Sequence, residues 1–222
     1  MKLEDLTWTE LPERPVLVVP LGATEQHGPH LPFTVDTEIA VALCERLAGH
    51  REVVIAPALP YGSSGEHSGF PGTLSIGQEA TELLLVELVR SAEAFAGVLL
   101  VCAHGGNAEP LRRAVGRLRG EGRNVAAWCP TGPSDDTHAG RVETSVMMAL
   151  RPAAVRPGSP GVTTPLPELI GELRASGVRA VSPSGVLGDP RRASVSQGRK
   201  TLDRWAISLV KAVDSVRAGG IM

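Results

Sequence analysis

The sequence predicts an α/β layer fold with a largely parallel central sheet, and three observations carry that expectation. Short apolar, β-rich runs alternate with longer amphipathic stretches along the chain. The runs have the length of buried strands, and the stretches between them have the length of helices. Chemistry-bearing residues follow directly on two of the runs, where a parallel sheet places its binding crevice.

Taken in order, Pro15 to Leu21 reads as a buried strand. Asp36 to Leu47 carries Ile39, Val41, Ala42 and Leu47 in a helical pattern that ends near Gly49. Val53 to Ala56 is a second strand, Gln78 to Phe95 a long helix, and Gly97 to Ala103 a third strand. A helix over Glu109 to Leu118 follows, with Arg112, Arg113 and Arg117 on its wet face, and then a strand over Asn124 to Trp128. Helices are expected over Gly140 to Leu150 and Leu166 to Ala175. After the Pro/Gly-rich stretch Ser182 to Pro190, Ala193 to Val216 supplies the last helix. No internal repeat or low-complexity segment is present. The proline-rich region around Arg151 to Pro167 is a candidate boundary, but the piece after it is too short to hold a core alone, so residues 1–222 read as one domain.

Bulk properties narrow the function. The 222 residues, 42% of them hydrophobic, suffice for a sizeable core. A formal charge of -2 and a pI near 6.3 give no broad electrostatic footprint for nucleic acid or an anionic membrane. The 3% aromatic content also leaves few stacking platforms for single strands. Cys44, Cys102 and Cys129 form no CxxC pair and read as reduced, mostly buried thiols of a cytoplasmic protein. No signal sequence opens the chain and no apolar run approaches spanning length, so neither secretion nor a membrane is expected.

Three separated clusters point to a metal site. Glu25, His27 and Asp36 sit in Pro20-Leu-Gly-Ala-Thr-Glu-Gln-His-Gly-Pro-His-Leu-Pro-Phe-Thr-Val-Asp36, directly after the first strand. Carboxylate, imidazole and carboxylate together suit a borderline cation such as zinc, iron or manganese. Two residues apart in an extended loop, Glu25 and His27 project to one side. Asp36 alone would suit a helix cap; with the others it suits a ligand, one able to bridge two cations. His104 opens His-Gly-Gly-Asn at the end of the third strand, and Gly105-Gly106 lets the backbone turn beside its imidazole. Asn107 either orients a ligand or starts the next helix. The third cluster holds His138 just before a helix and Glu143, expected in its second turn. Glu143, on a helix otherwise apolar through Val146, Met147 and Met148, faces inward and needs a counter-charge or a metal. His138 is then free to shuttle a proton or to bind the tetrahedral intermediate. Glu66 and His67, in a Gly-rich loop after a strand, are candidates to line a substrate crevice, and Arg141 is a candidate partner for a substrate carboxylate or a solvated side chain. His30 and His50 read as structural or solvated.

These motifs, in this order, together with Tyr61-Gly-Ser-Ser-Gly-Glu-His-Ser-Gly-Phe-Pro-Gly-Thr73 and Gly185-Val-Leu-Gly-Asp-Pro190, resemble the creatininase (creatinine amidohydrolase) family from about Leu17 to Gly198. The resemblance implies a three-layer α/β sandwich with two divalent metal ions, hydrolysing an amide or related carbon–nitrogen bond. It also implies that Glu25, Asp36 and His104 hold one cation and His27, Asp36 and Glu143 the other, and that the chain forms a homo-oligomer, often a hexamer in this family. Two such cations would lower the pKa of a shared water toward about 7 and polarise the scissile carbonyl, with His138 passing a proton to the leaving amine and Glu143 completing the catalytic pair.

The chain departs from creatininase itself in two places. Gly106 stands where that enzyme has a glutamate, and Ser134-Asp135-Asp136 precedes Thr137 where it has a sheltering tryptophan, so creatinine fits poorly as substrate. The compact length and Gly132-Pro-Ser-Asp-Asp-Thr-His-Ala-Gly-Arg-Val-Glu-Thr-Ser145 resemble instead a peptidase branch of the family. That branch implies removal of a carboxyl-terminal Val-Tyr dipeptide from a modified precursor peptide in redox-cofactor biosynthesis. Hydrolysis of a small formamide or cyclic amide is the alternative within the family. A metal-stabilised binding or scaffold subunit is the non-enzymatic one, disfavoured because closed structural zinc sites prefer four Cys/His ligands.

Overall fold

A four-stranded parallel sheet forms the centre of the computed structural model, which describes residues 1–47, 49 and 53–219. The strands are β1 (Val16–Leu21), β2 (Val53–Ile55), β3 (Gly97–Cys102) and β4 (Val125–Trp128), in the order β2-β1-β3-β4. The helices are α1 (Val35–Glu45), α2 (Gln78–Ser91), α3 (Ala108–Gly120), α4 (Arg141–Leu150), α5 (Leu166–Ser176), α6 (Val178–Val181) and α7 (Val195–Arg217). Among the described residues, no helix is long and apolar enough to cross a membrane.

Alternation along each strand builds the layers. Val16 and Val18 of β1, Leu99 and Val101 of β3, and Ala126 and Trp128 of β4 face one core, packed against α1, α4 and α7. Leu17, Val19 and Leu21, with Val98, Leu100 and Cys102, face the other, packed against Leu85, Val86 and Val89 of α2 and Leu111, Ala114 and Leu118 of α3. This is the three-layer arrangement with a parallel sheet. A small third cluster joins Leu173 of α5, Val178 of α6 and Leu187, with Phe70 packed against it.

The element order sets the site. The chain leaves β1 toward β2 on one side and then crosses to β3 on the other, so β1 and β3 flank a topological switch point, where the loops at the strand carboxyl ends diverge and leave a crevice. The register from Val16↔Gly97 to Leu21↔Cys102 ends both strands at one level, which sets the loop carrying Glu25 and His27 beside the loop carrying His104.

Several boundaries differ from the sequence expectation. α2 ends at Ser91 instead of Phe95, because Ala92 to Phe95 turn back and the Ala96 N–H bonds the Pro15 carbonyl to start β3. α7 starts at Val195 because the Ser194 hydroxyl accepts from the Gln197 N–H and caps the helix. α6 has no counterpart in the expected elements; its four residues are too few for a periodic signal. Cys44 and Cys102 are buried, whereas Cys129, one residue past β4, is exposed. His50 lies outside the described residues.

Candidate metal centre

The three clusters converge above the switch point. Glu25, His27, His104 and Asp36 are buried to 5% exposure or less, and His67 and His138 close the same space. Such a concentration of ionisable groups is tolerated only if they are paired or bind a cation. Yet Glu25 Oε1, Glu25 Oε2 and Asp36 Oδ2 are buried with no hydrogen-bond partner.

Asp36 stands at the centre. It is the second residue of α1 and does not cap it: Thr34 occupies the cap position, and neither side chain makes a capping bond. Its Oδ1 lies 3.2 Å from His27 Nε2, and its Oδ2 lies 3.4 Å from His104 Nδ1. The nitrogen of each ring far from Asp36 rests on a backbone carbonyl, His27 Nδ1 on Glu25 O at 3.1 Å and His104 Nε2 on Ser63 O at 2.8 Å, and His104 Nε2 also lies 3.3 Å from Glu25 Oε2. A carbonyl only accepts, so each far nitrogen is assigned the N–H, and the inward nitrogen is the one free to bind a cation.

Glu143 brings its Oε2 to 3.9 Å from His27 Nε2. It sits in the first turn of α4 instead of the expected second, and the same oxygen accepts the Ala139 N–H at 2.5 Å. Ala139 has φ +53°, a left-handed conformation that costs a non-glycine residue about 1 kcal/mol. Asp136, which the sequence reading did not single out, accepts the N–H groups of Arg141 and Val142 and so fixes the start of α4. Together these contacts hold the turn that carries His138. The signal in the sequence is an acid five residues before the first residue of a helix whose first turn already holds another.

The remaining candidates divide. His67 is buried, its Nε2 3.3 Å from Glu25 Oε1, while His138 Nδ1 is 3.7 Å from the same oxygen. Glu66, 30% exposed, places Oε1 3.8 Å from His104 Nε2. A side chain at position 106 would collide with Glu66 Oε1, so Glu66 fills the space that Gly106 leaves open. The Asn107 side chain accepts from the Ser63 N–H at 2.8 Å and donates to the Gly22 carbonyl at 3.0 Å, tying the loops together. Arg141 lines a separate cavity of about 570 Å³ with Lys200 and Arg204, shared with none of the clustered residues. His30 is buried against Thr144 Oγ1 at 3.0 Å.

The electrostatics reflect the crowding. Burial opposes charge on His27 and His104, but Asp36 and Glu143 around the first, and Glu25 and Asp36 around the second, outweigh it and raise both to about 10. Burial likewise opposes ionisation of Glu25, but His104, His138 and His67 hold it below the usual carboxylate range. Burial raises Glu143 to about 7. His67 falls to about 4 and His138 well below its ordinary value, through burial and then the neighbouring imidazoles. Without a cation, then, the inward nitrogens of His27 and His104 carry protons, which a metal ion would displace.

Among the described residues, four trios bring ligand atoms within 4.8 Å of one another: Glu25–His27–Asp36, His27–His138–Glu143, Glu25–Glu66–His104 and Glu25–His67–His138. A mixed imidazole and carboxylate set with unpartnered oxygens fits borderline divalent ions such as zinc, iron or manganese.

Comparison with known proteins agrees with this geometry. The family model described as creatinine amidohydrolase matches residues 4–213. The chain is 49% identical over 227 residues to a mycofactocin precursor peptide peptidase of Mycobacterium tuberculosis (strain CDC 1551 / Oshkosh), covering 96% of this chain and 90% of the relative. It is 47% identical over 196 residues to the protein of the same name from Mycolicibacterium smegmatis, covering 84% and 79%. Among solved structures, a tryptophan-to-phenylalanine mutant creatininase superposes with a TM-score of 0.79 at 26% identity, covering 96% of this chain and 97% of the other. A glutamate-to-glutamine mutant creatininase of the Zn-Zn type gives 0.76 at 25% identity, covering 96% of each.

Proposed function

The chain belongs to the creatininase family, hydrolases of carbon–nitrogen bonds, and on that premise we propose that it is a metal-dependent peptidase acting on the mycofactocin precursor peptide. The observation that carries the reading is Asp36, whose two oxygens face inward nitrogens of two different histidines. So placed, Asp36 would serve as a ligand shared by two cations. Glu25, Asp36 and His104 would hold one ion, and His27, Asp36 and Glu143 the other, with zinc, iron and manganese the candidate metals.

When bound, such a pair of ions activates water and polarises a carbonyl. The rest of the work falls to the chain. His138 Nε2 lies 2.8 Å from the Gln26 carbonyl and is therefore assigned the N–H, which leaves Nδ1 bare and turned toward Glu25. His138 in this form would accept at Nδ1 a proton of the attacking water and pass it to the leaving nitrogen. The turn fixed by Asp136 and Glu143 holds the ring for both steps.

Peptide is favoured over small amide as substrate by the 49% identity to a named precursor-peptide peptidase. The same loops also expose Phe33, Tyr61, Leu74 and Ile76, apolar area that a peptide can cover and a formamide cannot. The bond cleaved would release the carboxyl-terminal Val-Tyr dipeptide. The chain is read as one domain, working as a homo-oligomer whose size light scattering measures.

The test is incubation of the metal-loaded protein with the precursor peptide ending in Val-Tyr, beside formamide and creatinine, with products followed by mass spectrometry. Dipeptide release that chelation abolishes is expected. Hydrolysis of the small amides alone would replace the peptidase reading.

A further inference from the structure

We propose that Gln26, the residue between Glu25 and His27, is a positioning residue that turns an N–H of His67 toward Glu25 and, through its own carbonyl, a bare nitrogen of His138 toward the reacting atoms. The inference rests on the hydrolytic reading of the same site.

The amide of Gln26 is 6% exposed and cannot be flipped. Its Oε1 accepts the Gly28 N–H at 2.8 Å, and its Nε2 donates to the Gly185 carbonyl at 3.2 Å. A backbone N–H only donates and a carbonyl only accepts, so both ends of the amide are assigned by partners with no choice of role. One proton of Nε2 remains. Two imidazole nitrogens lie near it, His67 Nδ1 at 2.8 Å and His138 Nε2 at 3.0 Å. His138 Nε2 already carries the N–H that binds the Gln26 carbonyl, so it cannot accept. The remaining proton goes to His67 Nδ1.

A neutral imidazole has one N–H. His67 therefore bears it on Nε2, the atom 3.3 Å from Glu25 Oε1. The four imidazoles of the cluster thus fall into two kinds. His27, His104 and His138 are anchored on carbonyls and can turn a bare nitrogen inward. His67 is anchored on a donor and turns an N–H inward. With its N–H turned inward, His67 would not bind a cation, although its ligand atom lies within 4.8 Å of those of Glu25 and His138. Its Nε2 instead lies 3.3 Å from Glu25 Oε1, an oxygen that makes no hydrogen bond here, and the N–H on that nitrogen is placed to orient the carboxylate when a cation is held.

The variant Gln26→Glu keeps the shape but replaces the donor with an acceptor. A neutral His67 must then carry its proton on Nδ1, with the bare Nε2 left against Glu25. With six histidines in the chain, nitrogen-15 spectra of the zinc-loaded protein resolve the tautomers ring by ring. Wild type is expected to show the proton on Nε2 of both His67 and His138. In Gln26→Glu, His67 changes to the Nδ1 form while His138 keeps Nε2, zinc affinity falls by roughly 10- to 100-fold, and kcat falls by a similar factor with KM little changed.

Gly185→Ala provides a route from outside the cluster, since Gly185 has φ +77° and a Cβ there would collide with the Gln26 amide. It should shift the His67 signals in the same direction. A wild-type His67 protonated on Nδ1, or a tautomer unmoved by Gln26→Glu, overturns the inference. The expected tautomers in a protein that does not cleave the peptide would sustain this role for Gln26 and count against the peptidase reading.

Discussion

Two populations of charged groups in this molecule behave in opposite ways. On the outer surface around α2 and α3 carboxylates pair with arginines: Glu121, just past α3, takes Arg90 at 2.5 Å, Glu82 takes Arg113 at 2.5 Å, and Glu109 takes Arg112 at 2.6 Å. Above the sheet, Glu25 and Asp36 are buried and keep three oxygens without hydrogen-bond partners. The surface pairs are in water and contribute little. Buried, unpartnered carboxylates are costly unless something else supplies the charge. Pairing, more than the number of charges, therefore distinguishes a solvated face from a metal centre.

Breaking the interior should have the largest effect. His138→Ala is expected to lower kcat for peptide cleavage by roughly 10²- to 10⁴-fold while the metal content stays unchanged, because the ring moves protons without holding a cation in this account. Elemental analysis beside the rate measurement checks both halves. Gly106→Ala comes next. Its methyl would collide with Glu66 Oε1, the Ser63 carbonyl and the His104 ring, and should weaken metal binding by roughly 10- to 100-fold, read by competition with a chelating dye.

A smaller effect is expected where the interior meets the scaffold. Asn107→Ala strands the Ser63 N–H and the Gly22 carbonyl, and should destabilise the fold by about 1–3 kcal/mol in denaturant titration. At the surface end of the comparison, Arg90→Ala should leave cleavage unchanged and move Tm by no more than about 3 °C. A large loss of activity there would remove the distinction between the two populations.

The same distinction explains what could be read in the sequence. Strand alternation and helix periodicity are local, so β1, β3 and α4 were legible to within a residue or two, whereas the four-residue α6 was not. The candidate ligands were legible as residue types: Glu25, His27, Asp36 and His104 follow apolar runs, and a parallel sheet brings such loops together. What the types could not give was direction. Glu66 and His67 are neighbours in one loop, yet His67 turns into the cluster while Glu66 fills the gap beside Gly106. Arg141, two residues from Glu143, opens onto another cavity because residues two apart on a helix do not share a face. Gln26 carried no signal of its own, since its role depends on Gly28, Gly185, His67 and His138 meeting around one amide.

The central claim is that Asp36 joins two cation sites whose loss silences the enzyme, and metal stoichiometry tests it most directly. Wild-type protein loaded with zinc should carry two ions per chain and release the dipeptide, whereas Asp36→Asn, changed at one oxygen and otherwise isosteric, should lose bound zinc and cleavage together. An Asp36→Asn protein that keeps two ions and cleaves the peptide at the wild-type rate would contradict the account.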